Sequence, residues 1–272
     1  MLSLRRRSLA FLAVAVCLAA RTIPLASQEP TLTEDQIKQF LLKAKVKQSK
    51  QTAKGITAPS RVTLSDGTLT HDAAFQPIDE HKSIMQLASG TEINFRDSYH
   101  FDIAGYELAK LLGLGDMVPV TVERRMLGNT GALSWWVTAK MDEMDRNKQK
   151  LQSPDVNAWN KQLNKMWVFS QLIYDTDRNQ TNILITQDWK LFMIDFTRAF
   201  RIHHKLEDPK RLVMCDRQLL EKLRQLDKAQ VLEKTKPHLT KSEVEAVMAR
   251  RDLIVTQFER LIAEKGEEKV IY

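Results

Sequence analysis

The stretch DTDRNQTNILITQDWKLFMIDF, residues 175–196, constrains this chain more than any other. It sets Asp175, Asp177, Asn182, Asp188 and Asp195 around two apolar runs, NILIT and LFMIDF. Short runs of β-formers around a polar turn at Gln187, Asp188 and Trp189 predict a pair of strands. Asn182 then precedes the first strand and Asp195 stands near the end of the second, so a hairpin carries both back to one place. Asp177 lies in the loop just upstream, and the three together predict a point where hard oxygen ligands converge.

Such a donor set suits Mg²⁺. It is the set that phosphoryl transfer employs: a carboxylate orients the attacking hydroxyl, while an amide oxygen and an acid hold the metal against phosphate charge. Each Asp or Asn, taken singly, also suits an ordinary turn.

The rest of the chain alternates between sheet and helix signals. IKQFLLKAKV, near residues 37–46, predicts a short helix and an entry strand. RVTLSDGTLTHDAAF places β-formers on both sides of Asp66-Gly67, a tight-turn dipeptide. SYHFDIAGYELAKLLGL spaces Ile103, Tyr106, Leu108, Leu111 and Leu112 as an amphipathic helix stopped at Gly113. MVPVTVERRM and ALSWWVTAKM flank LGNTG as a second strand pair, with at least one of Trp135 and Trp136 in the core. A buried helix follows over NAWNKQLNKMWVFSQLIYDT. RQLLEKLRQLDKAQVLEKT predicts one further helix, and after Pro237 a last one begins at a capping box of Thr240 and Glu243. Arg250 and Arg251 are expected on its solvated face.

Composition narrows the class. With 272 residues, 43% of them hydrophobic, and only 9 Gly and 8 Pro, the chain can bury a substantial core as one domain or two lobes. Arg5, Arg6 and Arg7 precede an apolar run from Ser8 to Ala20, and small residues follow, the pattern of a signal peptide over residues 1–27. That run of 13 residues is short of the roughly 20 a membrane span needs. The expectation is an exported chain, periplasmic or secreted, with RRRSLAF hinting at the twin-arginine route. Four of the 41 Lys+Arg and none of the 34 Asp+Glu lie in residues 1–27, so the remainder carries only +3. Such a balance argues against a nucleic-acid partner. With Cys17 in the signal, Cys215 stands alone, more a small core residue than a nucleophile. His203 and His204 lack a third ligand in view.

DTDRNQTNIL followed by MIDF resembles the DRxxxN and IDF signature of the atypical kinases related to phosphatidylinositol 3- and 4-kinases and to secretory-pathway kinases. GYELAKLLGLGDMVPVTVERRMLGNTGALSWWV is similar to the lobe of bacterial members. The resemblance covers residues 50–265 and implies an α+β, two-lobed protein-kinase-like fold: a small β-rich N-lobe with one main helix, and a mostly helical C-lobe. The implied division is a signal peptide over 1–27, a helical or linker segment over 28–49, an N-lobe over 50–140 and a C-lobe over 141–272. It implies Asp177 as catalytic base, Arg178 as the residue that orients the loop, and Asn182 and Asp195 as metal ligands. Asn179 stands where the lipid kinases carry His, and Thr197 where Gly usually follows Phe.

In the upper lobe the resemblance aligns Gln76 with the strand Lys that meets the phosphates, a residue that brings no charge there. Lys82 is the substitute candidate. Asp102, or alternatively Glu107, is the helix acid. No G-x-G-x-x-G is present, so Gly55 with Thr57 is the candidate cover for phosphates. The implied cofactors are Mg²⁺ or Mn²⁺ and ATP. The implied partners are that nucleotide and an unknown protein, lipid or small-molecule hydroxyl acceptor, without nucleic acid and without a membrane span once the signal is removed. The alternatives are a catalytically inactive kinase-fold binding module and a nucleotidyl transferase on the same fold.

Overall fold

In the computed structural model, which describes residues 32–51, 59–87 and 90–272, Thr33 starts the first helix, α1 (Glu34–Lys43), through a capping box. Its hydroxyl accepts the Gln36 N–H, and the Gln36 side chain accepts the Thr33 N–H at 2.8 Å. The expected signal, residues 1–27, and the Gly55 to Thr57 candidates lie outside the described residues.

A mixed architecture follows, sheet first and helices after. β1 (Lys45–Gln51), β2 (Ser60–Ser65) and β3 (Thr70–Gln76) run antiparallel, and β2 turns into β3 through Asp66, whose carboxylate accepts the Thr68 and Leu69 N–H groups. β4 (Asp79–Leu87) and β5 (Gly90–Ser98) form a separate two-stranded ribbon that leads into α2 (Tyr99–Leu111). β6 (Thr121–Met126) and β7 (Asn129–Trp135) then close the main sheet in the order β1-β2-β3-β7-β6. Their two-residue turn uses Leu127 and Gly128, both at positive φ, as a tight hairpin requires.

The sheet turns Val62, Leu64, Ala73, Phe75, Val122 and Leu133 toward Phe40 and Leu41 of α1. Full burial of such side chains stabilises by about 1.5–3 kcal/mol each. Arg124 fixes the helix in place, donating from its guanidinium to the carbonyls of Leu41 and Ala44 at 2.5 and 2.7 Å. Lys45–Gln51 is thus built into the sheet, with α1 packed on it. Trp135 packs against this core, stacked on His71, while Trp136 lies under the Arg61 guanidinium.

β8 (Met141–Asp142) joins β9 (Ile183–Ile185) and β10 (Leu191–Met193) in a small second sheet. Between them lie α3 (Glu143–Lys148) and the long α4 (Val156–Ile173). The helix expected over 217–235 is two helices, α5 (Arg217–Gln225) and α6 (Lys228–Thr235). Asp227 breaks it, because its carboxylate caps the Ala229 and Gln230 N–H groups of a new helix. α7 (Lys241–Lys265) begins at the expected Thr240–Glu243 capping box.

Arg250 overturns its expected place on the surface. It is fully buried, and its guanidinium donates to the carbonyls of Leu172, Arg201 and His203. Arg251, half-buried, donates to the carbonyls of Leu223 and Leu226 and so caps α5. A charge-rich pattern conceals such residues, since a guanidinium that satisfies main-chain oxygens can be buried without an acid. Cys215 is buried, and burial pushes its thiol up to about 12, as a core residue requires.

α2 approaches the segment after β10 closely at Gly105, where a Cβ would stand 2.9 Å from the Phe196 ring. On an exposed helix, Gly→Ala stabilises by about 1 kcal/mol. Here overpacking against a buried ring should outweigh that gain, so Gly105→Ala is expected to lower stability by about 1–3 kcal/mol in urea unfolding. A raised unfolding midpoint would sink this reading of the helix contact.

Candidate active site

α4 ends at Tyr174, which takes the left-handed conformation and turns the chain out of the helix. Asp175 follows, its N–H donating to the Ser170 carbonyl and its buried carboxylate accepting the Asp177 N–H. Arg178 meets that carboxylate with Nε at 2.8 Å and Nη2 at 2.5 Å. Its remaining donors reach the carbonyls of Asn182 and Ile194, both at 2.7 Å, and of Asp195 at 3.4 Å. The loop, the start of β9 and the end of β10 are therefore fastened to one guanidinium whose side chain is only 2% exposed.

The three expected functional groups sit on this fastening. The Asp177 carboxylate accepts from the Asn179 amide at 2.9 Å, and the Asp177 carbonyl accepts from the Asn182 amide at 3.0 Å. With its nitrogen so occupied, the side-chain oxygen is the atom Asn182 could offer a cation. The Ile194 N–H donates to the Asn182 carbonyl and ties the strand ends together. Asp195 stands at φ 57°, a left-handed backbone that Asp tolerates better than most residues. Its Oδ1 accepts the Thr197 hydroxyl at 2.9 Å. Thr197, where the resembled family carries Gly, therefore supplies a hydroxyl that steadies the acid.

Asp102 arrives from α2, and its Oδ1 accepts the Phe196 N–H at 2.7 Å. Asp97, at the end of β5, is buried beside Thr197. Burial pushes the Asp102 carboxyl well above the usual range, and the neighbouring charge of Asp195 pushes it further. Asp195 is raised by burial first, against the opposing pull of Thr197 and Arg178, with Asp177 and Asp97 adding to the rise. Burial raises Asp97 as well. Buried acids crowded in this way disfavour their own charge. The oxygen-only donor set of Asn182, Asp195 and their neighbours fits a hard divalent cation.

The upper-lobe candidates divide. Asp102 joins the cluster, whereas Glu107 faces α1, where it meets Lys38 at 3.2 Å. Gln76 is buried on β3, its carboxamide oxygen accepting the Ile78 N–H. Lys82 lies on the exposed ribbon, paired with Glu80 at 2.7 Å. His203 packs against Tyr174.

Residues outside the expected set also converge here. Glu92 of β5 binds Arg198 at 2.5 Å and Arg201 at 2.7 Å, and the Thr176 hydroxyl donates to the Arg198 carbonyl. Neither the ribbon nor the reach of Glu92 is marked in the sequence. A cavity of about 280 Å³ opens beside the loop, lined by Glu92, Tyr174, Thr176, Arg201, His203 and Glu207. A larger one of about 490 Å³, lined by Trp159, Lys165 and Trp189, holds none of the clustered acids, so volume alone points away from the chemistry.

Arg178→Met takes the cation from a buried carboxylate and a donor from the Ile194 and Asp195 carbonyls, and should cost about 3–5 kcal/mol in urea unfolding. Adding Asp175→Leu should recover part of that loss, because it removes the unpaired charge. Asp102→Asn tests the acid cluster. A folded-state pKa above the unfolded value gives stability that is complete below the ordinary carboxylate range and is lost as pH rises through the folded value. Without divalent ions, the variant should therefore exceed wild type in stability at about pH 8 and approach it toward about pH 4. The gain is about 1.4 kcal/mol for each unit of elevation. A difference that does not vary with pH would show that Asp102 is not under charge stress.

A scan against family models and a search of curated sequences find no match. Solved structures do. The structure of hydra Fam20 with sugar superposes with a TM-score of 0.67 at 16% identity, covering 88% of this chain and 91% of that one. The Golgi casein kinase with Mn/ADP bound gives 0.64 at 13% identity, over 88% and 78% of the two chains. The Helicobacter pylori proinflammatory kinase CtkA gives 0.50 at 10% identity, over 84% and 98%. These are likenesses of fold. With its β-sheet first part and helical second part, the chain has an α+β kinase-like fold.

Proposed function

We propose that this chain is a divalent-metal-dependent phosphotransferase that moves a phosphoryl group from a nucleotide, ATP by expectation, to a hydroxyl acceptor. One observation carries the reading: the buried Arg178 gathers the Asp177 loop, the start of β9 and the end of β10 into one unit. The Mn/ADP described for a structural neighbour supports the nucleotide and metal expectation.

In this reading Asn182 and Asp195 hold Mg²⁺ or Mn²⁺, and Asp102 and Asp97 add negative charge around them. The bound cation supplies neutralisation of phosphate charge. Asp177, steadied by Asn179, accepts a hydrogen bond from the acceptor hydroxyl and orients it for attack. Export through residues 1–27 belongs to the same proposal and rests on the charge order of that segment. Among the described residues, no helix is long and apolar enough to cross a membrane.

A second reading, a binding module without turnover, is favoured by Gln76 and Lys82. The first brings no charge and hydrogen-bonds the Ile78 N–H, and the second is held by Glu80. Transfer of a nucleotidyl group by the same ligands is the third reading, and the mass of an autoreaction adduct identifies it.

Asp195→Ala is expected to abolish metal-dependent nucleotide binding in calorimetry. Asp177→Asn should leave that affinity unchanged and slow transfer by about 10²–10⁴-fold, the range of a lost acid–base contact. Equal nucleotide affinity in wild type and Asp195→Ala would refute the metal assignment. Nucleotide binding with no transfer in wild type would leave the binding module standing in place of the enzyme.

A further inference from the structure

His100, Glu123 and His238 come together from three separate parts of the chain. His100 lies in the first turn of α2, Glu123 on β6, and His238 in the connection between α6 and α7. Nδ1 of His100 is 2.9 Å from Nδ1 of His238, and Oε2 of Glu123 is 3.9 Å from the same His238 nitrogen. One ligating atom from each residue lies within 4.8 Å of the other two. Seating zinc at roughly 2.0–2.2 Å from each atom puts tetrahedral ligand atoms about 3.3 Å apart, so the two ring nitrogens part by a few tenths of an ångström and the carboxylate closes by about as much.

The surroundings are those of a ligand set. The Tyr99 hydroxyl donates to Glu123 Oε2 at 3.1 Å and orients that carboxylate. On the far side of the His100 ring, Asp79 Oδ2 stands 4.0 Å from Nε2, and Asp79 is itself held by the Ser98 hydroxyl at 2.7 Å. That spacing is beyond hydrogen-bond reach, so the ring is oriented by the contact of Nδ1 with His238, and Nδ1 is the atom that His100 offers a metal.

We propose that His100, Glu123 and His238 bind one transition-metal dication, zinc by donor type, at a site separate from the acids around Asp195. Two imidazoles and a carboxylate match zinc and leave a fourth position for water. The hard-oxygen set of Asn182 and Asp195 suits Mg²⁺ instead. Bound there, zinc staples β6 and the start of α2 to the α6–α7 connection.

The test uses the full chain, stripped with chelator and dialysed against Zn²⁺, with bound metal counted by elemental mass spectrometry. Wild type and Asp195→Asn are expected to retain about one zinc per chain, and His100→Gln and His238→Gln to lose it. A second arm needs no variant: zinc should protect His100 and His238 of wild type from carbethoxylation, mapped by peptide mass, and leave His71, His81 and His204 open. Wild type without bound zinc, a His238→Gln variant that keeps it, or labelling of His100 and His238 unchanged by zinc each overturns the proposal.

Discussion

A single buried cation, the Arg178 guanidinium, is the constraint on which the rest of the candidate site depends. Removing such a charge from water costs several kcal/mol, and only a full set of partners makes it tolerable. Arg178 has that set: Nε and Nη2 both donate to Asp175 Oδ2, and Nη1 donates to the carbonyls of Asn182 and Ile194. Its plane also lies over the Phe196 ring. Because each partner belongs to a different local element, the loop after α4 and the ends of β9 and β10 cannot move independently.

Around that fixed unit the molecule accumulates negative charge that the described residues only partly answer. Asp102 comes from α2, Asp97 from the ribbon, Asp195 from the strand end. Arg178 is committed to Asp175 and the backbone, while Arg198 and Arg201 are committed to Glu92. These cations ease the charge on the central acids from nearby, yet burial still outweighs them and leaves Asp97, Asp102 and Asp195 raised. An acidic group left charged in this setting is stressed, and hard dications relieve such stress better than protons do at neutral pH.

Much of this was legible in the chain itself, for physical reasons that differ by element. The hairpin over 183–193 and its flanking Asp and Asn followed from short β-rich runs and turn residues, both local signals. The ends of α1 and α7 followed from capping boxes, local as well. Asp102 was identified only through resemblance, and its hydrogen bond to the Phe196 N–H spans 94 positions that no periodicity encodes. The β4–β5 ribbon was missed because it is largely solvated on both faces: Ile84 and Ile93 are exposed, so the usual inward alternation is blurred. Arg250 was misplaced because helical patterns treat Arg as a surface residue, whereas its donors suit unpaired carbonyls at the ends of other elements. Asp227 was passed over because hydrophobic spacing continues through it; its capping side chain decides the break.

Arg250 also bears on the order in which the molecule can be completed. The carbonyls it satisfies belong to residues 78 and 49 positions earlier. A nascent polypeptide therefore carries the Asp177 loop and the strand ends well before the donor that closes off the Leu172 and Arg201 backbone has been synthesised. The helix containing Arg250 is accordingly a late keystone: it contributes none of the clustered acids, yet its donor closes the backbone on both sides of their loop.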